Sequence, residues 1–245
     1  MKRSLNYILS PSEFLQELRG RGISDSTLRS ASEKWFTDTY VKRKTKPFEQ
    51  DSSGAVLQVG KIYSFDYSDP KYKEELDFYS ALPIMLCIGH RKTKDGKVNP
   101  IGINLTFMPP KIRLVYLDIV WKKFDTLIIR SNIKKLMEGK DGRQRLLPLF
   151  YSVNKMIARN LGWEFAIRSY IPSRIKTEPE IITYTDWWKL CVFTNKFLEK
   201  KNIQEVYYLY KKAMNPDYKI GKKEKPVKVE TVTIKELKER LKGNR

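Results

Sequence analysis

Histidine occurs once in the 245 residues and cysteine twice, so two common routes to catalysis are nearly closed. The one imidazole, His90, follows Gly89 and is flanked by Arg91 and Lys92, with no serine or cysteine motif around it. Cys87 lies three positions upstream, and on a regular strand such residues face opposite sides. A Cys87–His90 dyad is therefore not expected, and His90 reads as a surface or turn histidine. Cys87 and Cys191 sit in apolar surroundings far apart in sequence, which supports neither a disulfide framework nor, with one histidine, a zinc site. Neither GxxxxGK[ST] nor GxGxxG occurs, so no phosphate-cradling loop is expected. No run of about twenty apolar residues is available to span a membrane. Ser10-Pro11-Ser12-Glu13 interrupts any signal-like stretch after Met1-Lys2-Arg3. No catalytic residue, metal ligand or cofactor is assigned, and a cytoplasmically made product without membrane contact is expected. One enzymatic alternative stays open. Asp66, Asp69 and Lys71, near Glu74, Glu75 and Asp77, have the residue types of a metal-dependent nuclease, although Asp69-Pro70 is equally a turn.

What the chain has in excess is positive charge. Forty-eight Lys and Arg face 28 Asp and Glu, a formal net charge of +20. Such an imbalance describes partners, not fold, and favours nucleic acid, an acidic protein surface or a membrane. Lys111, Arg113, Lys122, Lys123, Arg168, Arg174 and Lys176 are the candidate nucleic-acid contacts. Trp121 and Tyr170 lie beside some of them; each could stack on a base, but as a large aromatic each is first a core residue.

The periodicity predicts an α+β fold with a small, mainly antiparallel β core over about 59–107, to which 163–175 is a candidate addition, packed with helices. Ser10-Pro11-Ser12-Glu13 is a helix start with a capping box. A second helix begins at Ser24 or Asp25 and runs toward Val41. These form an N-terminal arm, 1–44, followed by a polar linker, 45–58, and a core domain, 59–218. Ile62–Tyr67 reads as a strand, 71–78 as a short helix, and Ile84–Ile88 as a strand buried on both faces, since its apolar run does not alternate. Asp95-Gly96 marks a hairpin turn, with Ile101–Phe107 returning. Pro109-Pro110 opens a helix with Ile112, Val115, Tyr116, Ile119, Val120 and Phe124 at helical spacing. Gly139–Gly142 reads as a loop, 146–158 as a helix interrupted near Pro148, and 203–214 as a further helix. The extension 219–245 carries ten Lys and Arg against four Glu. In it Val227, Val229 and Thr231 alternate like a lone edge strand, and Ile234 and Leu237 lie in a capped last helix. These five are candidate contacts with a neighbouring subunit or partner.

The middle of the chain resembles the DNA end protector, or head completion, proteins of T4-like tailed phages over about residues 60–193. The resemblance rests on Gly60-Lys61-Ile62-Tyr63, Asp69-Pro70-Lys71, Leu76-Asp77-Phe78-Tyr79 before Leu82-Pro83, and Gly102-Ile103-Asn104-Leu105 running into Met108-Pro109-Pro110. Arg113, Leu117-Asp118, Ser173-Arg174 and Trp187-Trp188 follow. It departs at Thr106, where the family pattern has histidine. It implies a non-enzymatic structural protein of the virion, acting at the head–tail connector, the neck or a tail ring and shielding the packaged DNA end. Implied partners are neighbouring copies in a homo-oligomer, portal, connector or tail subunits, and DNA. A metal-dependent nuclease and a cytosolic nucleic-acid-binding protein are the alternatives.

Overall fold

The computed structural model describes residues 9–42, 48, 57–69, 80–124 and 140–193. The expected helices at 71–78 and 203–214, most of the linker, and the extension with Val227, Val229, Thr231, Ile234 and Leu237 lie outside them.

Ser10 caps the first helix, α1 (Pro11–Gly20). Its hydroxyl accepts from the Glu13 amide, and the Glu13 carboxylate accepts from the Ser10 amide at 2.9 Å, the reciprocal pair the sequence announced. Gly22 ends the turn at a φ of 82°, a conformation that disfavours a Cβ. Ser24 caps α2 (Asp25–Phe36), which continues as one wider π-helical turn, Thr37–Val41.

Five strands form one antiparallel sheet in the order β4-β3-β2-β1-β5: β1 (Ile62–Ser64), β2 (Ile84–Lys92), β3 (Val98–Asn104), β4 (Ile167–Ser169) and β5 (Glu180–Ile182). The α+β class is thus as expected. The segment 163–175 joins the sheet through three residues only; Glu164–Ala166 and Pro172–Arg174 form 3-10 turns, and Ile175 makes an isolated bridge to Tyr67. β5 gave no usable sequence signal, because Glu180-Ile181-Ile182 is too short to show alternation.

Ile84 to Ile88 are all fully buried, as a non-alternating strand implies. The sheet closes tightly around Gly102: a Cβ there would lie 2.1 Å from the Met85 Cγ and 2.8 Å from the Leu86 carbonyl oxygen. Between Cys87 and Gly89 the β2–β3 register slips by a bulge.

Three helices complete the described fold: α3 (Pro110–Phe124), α4 (Lys140–Asn160) and the short α5 (Trp187–Val192). The predicted loop at Gly139–Gly142 is displaced, since α4 already begins at Lys140. Nor does Pro148 interrupt α4. Its ring is exposed, and the lost hydrogen bond is offset by Phe150, Asn154, Ile157 and Ala158, all buried on the far side. The buried face of α3 is Tyr116, Leu117, Val120, Trp121 and Phe124, with Ile112, Val115 and Ile119 only half-buried.

The N-terminal helices do not hang free. α1 packs on α3 and α5, and α2 on α5. Leu15, Leu28, Phe36 and Tyr40 share one core with the sheet residues. Ser32 donates to the Lys189 carbonyl, Phe14 stacks on Trp188 at 5.3 Å, and Phe36 meets Phe193 at 4.4 Å. Asp118 on α3 accepts from the Ser12 amide at 3.3 Å and from the Ser12 hydroxyl at 2.5 Å, tying the first turn of α1 to α3.

Candidate nucleic-acid interface

The seven cations nominated from the sequence separate into three environments. Lys111, Lys122 and Lys123 are exposed on α3. Lys111 and Lys122 are eleven residues apart, which is three turns, so they share one stripe about 17 Å long. Lys122 pairs with Asp118 at 2.7 Å, whereas Lys111 and Lys123 form no ion pair among the described residues. Arg168 on β4 is half-buried, its guanidinium 5.4 Å from the Phe107 ring centre. Half-buried Arg174 and exposed Lys176 flank Ile175, which bridges to Tyr67, and their main chain holds the segment after β1. Ser68 donates to the Arg174 carbonyl at 3.0 Å, and Lys176 donates to the Asp66 carbonyl at 2.8 Å.

Arg113 is the exception, and here the fold corrects the expectation. It is fully buried, and its donors are taken up by main-chain carbonyls: Leu105 at 2.8 Å, Met108 at 2.7 Å, Phe193 at 3.0 Å, and Leu190. The guanidinium has no carboxylate among these partners. Burial lowers its pKa from the usual value to about 10, which leaves it charged at neutral pH. One planar fork thus closes the 3-10 turn Leu105–Phe107, the start of α3 and the end of α5, a task for which arginine geometry suits and lysine does not. It holds the fold, not a phosphate.

Asn104 starts that same turn. Its side-chain oxygen accepts from the Thr106 amide at 3.1 Å and from the Thr106 hydroxyl. The Asn-Leu pair of the resemblance is therefore a turn device feeding Arg113, and Leu117-Asp118 combines a core residue with the anchor of α1.

The aromatics beside the nominated cations do not offer stacking faces. Trp121 and Tyr170 are buried, Trp121 against Trp187 at 5.7 Å and Tyr170 against Phe65 at 5.4 Å.

The bulge changes the geometry of Cys87 and His90. Instead of diverging, both reach one acceptor: the Cys87 thiol donates to the Leu57 carbonyl at 3.4 Å and His90 Nε2 donates to it at 2.8 Å. This is a structural pair. Burial raises the Cys87 pKa to about 12, so the thiol stays protonated, and burial lowers that of His90 against the hydrogen bond to Leu57. Cys191 is buried as well, and its pKa is raised by burial. Of the nuclease alternative, Asp66 and Asp69 lie after β1 and Lys71 lies outside the described residues. Among the described residues no three His, Cys, Asp or Glu side chains gather into a ligand set. No described helix is long and apolar enough to cross a membrane.

The cationic group that the sequence did not nominate is the outer half of the β2–β3 hairpin. Past Gly89, His90, Arg91, Lys92, Lys94, Asp95, Lys97 and Val98 are all exposed. Its signal in the sequence is four cations around an Asp-Gly turn, a pattern that reads first as a turn.

The molecule is thus a basic α+β protein in which, among the described residues, one arginine is buried in a structural role and most other cations are exposed. Its sequence matches the family described as Phage T4 terminal DNA protecting protein over residues 2–212, and the chain belongs to that family. The match takes in α1 and α2, beyond the span of the resemblance, in keeping with their place in the shared core. Neither the curated proteins nor the solved structures provide a match.

Proposed function

We propose that this protein is a non-enzymatic component of a tailed-phage particle that binds the ends of the packaged genome and shields them from exonucleases. The observation that carries this reading is the family match over residues 2–212. The net charge of +20 supplies the physical means. Lys and Arg side chains that displace counterions from phosphates bind DNA without reading bases, and an occupied terminus is one an exonuclease cannot engage. Lys111, Lys122, Lys123, Arg168, Arg174 and Lys176 are the proposed contacts carried by the described surface outside the hairpin. The finer reading places the protein at the head–tail connector, the neck or a tail ring. Neighbouring copies and portal, connector or tail subunits are then its protein partners, reached in part through Val227, Val229, Thr231, Ile234 and Leu237.

The test is a digestion time course. Linear duplex should survive a processive exonuclease when preincubated with the full chain, and protection should fade as salt rises. With about six phosphate contacts, affinity falls roughly a thousandfold between 50 and 200 mM salt. Unprotected ends at low salt would overturn the reading. So would fragmentation of the DNA by the protein and magnesium alone, which is the nuclease outcome. Copy number in purified particles locates it: very few copies fit the genome end, a ring's worth fits a connector or tail, and none fits a cytosolic protein.

A further inference from the structure

The sheet is five strands wide only near its middle. β1 covers β2 from Ile84 to Leu86, and β4 covers β3 from Ile101 to Ile103. Beyond Cys87 and Ile101 no further strand flanks the pair, although the Pro100 carbonyl still accepts from the Tyr170 amide at 2.9 Å; the ribbon is paired through His90–Pro100, Arg91–Asn99 and Lys92–Val98. At about 3.3 Å per residue, the ribbon from Gly89 to the turn extends roughly 15 Å.

Such a ribbon has no core of its own and is marginal in isolation. Here it is fixed at both ends. At the root, Gly89 lies against the Tyr151 ring of α4, where an added Cβ would sit 3.2 Å from the Tyr151 Cδ2, and His90 holds the Leu57 carbonyl. At the tip, the Thr93 amide and hydroxyl donate to the Lys97 carbonyl at 2.8 and 2.9 Å, and the Gly96 amide donates to the Thr93 carbonyl at 3.1 Å. Gly96 takes a φ of 82° to close the turn.

The finger carries four cations, Arg91, Lys92, Lys94 and Lys97, against one carboxylate, Asp95. Arg91, Lys92 and Lys94 form no ion pair among the described residues. The only carboxylate, Asp95, is engaged within the turn, 3.5 Å from Lys97. Charges also keep an open strand edge from pairing with other chains, lysine above all. In a chain of net charge +20 that matches a DNA-protecting family, an anionic partner is a further use for the same cations.

We infer that the outer β2–β3 hairpin is a phosphate-binding finger that grips duplex DNA through Arg91, Lys92 and Lys94 without reading its sequence. The inference rests on the DNA-end reading above and gives it a named element.

The experiment compares three full-length proteins on a blunt-ended duplex across a salt series. The first is unaltered. The second carries Arg91→Gln, Lys92→Gln and Lys94→Gln. The third carries Arg29→Gln, Lys34→Gln and Lys42→Gln on and after α2, all exposed, and so matches the second in charge. Thermal unfolding checks that each is folded. The hairpin variant should bind at least about tenfold more weakly than the α2 variant at roughly 0.1 M salt, and its slope of log affinity against log salt should be shallower by about 3. Equal affinities and slopes for the two variants would overturn the finger while leaving DNA binding intact. Failure of the unaltered protein to bind would overturn the DNA reading and the finger together. Undiminished DNA binding with loss of incorporation into particles would reassign the finger to an acidic protein surface.

Discussion

The hub around Arg113 and the finger around Arg91 are equally basic on paper and opposite in use. Arg113 is enclosed, and its donors reach four carbonyls of two chain segments, 105–108 and 190–193. Arg91 stands on an exposed ribbon with no ion pair among the described residues. A net charge of +20 therefore does not measure a binding surface. A cation whose donors are used by the backbone contributes to folding, and one with nothing local to hold is available to a partner.

The sharpest way to break this contrast is to remove each arginine. Arg113→Met should destabilise the protein by about 3–5 kcal/mol in denaturant unfolding, since it leaves buried carbonyls without donors. Arg113→Lys should recover only part of that loss, because a point charge cannot span four acceptors. An unchanged midpoint for either variant would mean the hub is dispensable. Gly102→Ala probes the sheet at the root of the finger. The added methyl collides with Met85 and the Leu86 carbonyl and should cost about 1–3 kcal/mol, with Met85→Ala relieving only the side-chain part.

Asp118 gives a pH test. Burial opposes its charge, but hydrogen bonds from Lys122, Ser12 and Ser10 together hold its pKa below the ordinary carboxylate value. A depressed folded pKa contributes stability above the unfolded value, near 4, that is lost as pH falls through the folded one. Stability should therefore drop below about pH 4, and Asp118→Asn should flatten that dependence while costing about 1–2 kcal/mol at neutral pH. An acid limb unchanged by Asp118→Asn would remove α1 docking from this carboxylate. The smallest effect on stability belongs to the finger: Arg91→Gln should shift unfolding by under about 0.5 kcal/mol, in contrast to Arg113→Met.

The sequence disclosed what is local. The Ser10–Glu13 capping box, the doubly buried Ile84–Ile88 strand and the Asp95-Gly96 turn follow from spacing within a few residues. It did not disclose what depends on distant partners. Arg113 looks like any helix-face cation until the carbonyls of α5, some eighty residues on, are brought to it. The bulge that turns Cys87 and His90 to one acceptor has no residue signature, and β5 is too short to carry a period. Of the candidate interface, the cations of α3 and of 168–176 are legible in the sequence, but exposure decides among them, and exposure is a property of the assembled sheet and helices.

Phe193 is where the described chain leaves α5, and it is held twice: its carbonyl by Arg113 and its ring against Phe36. A load applied to the residues that follow is therefore passed straight to α3 and α2, across packed side chains, instead of unwinding a six-residue helix from its free end. This makes Phe193 a mooring point, tied to α3 through its carbonyl and to α2 through its ring.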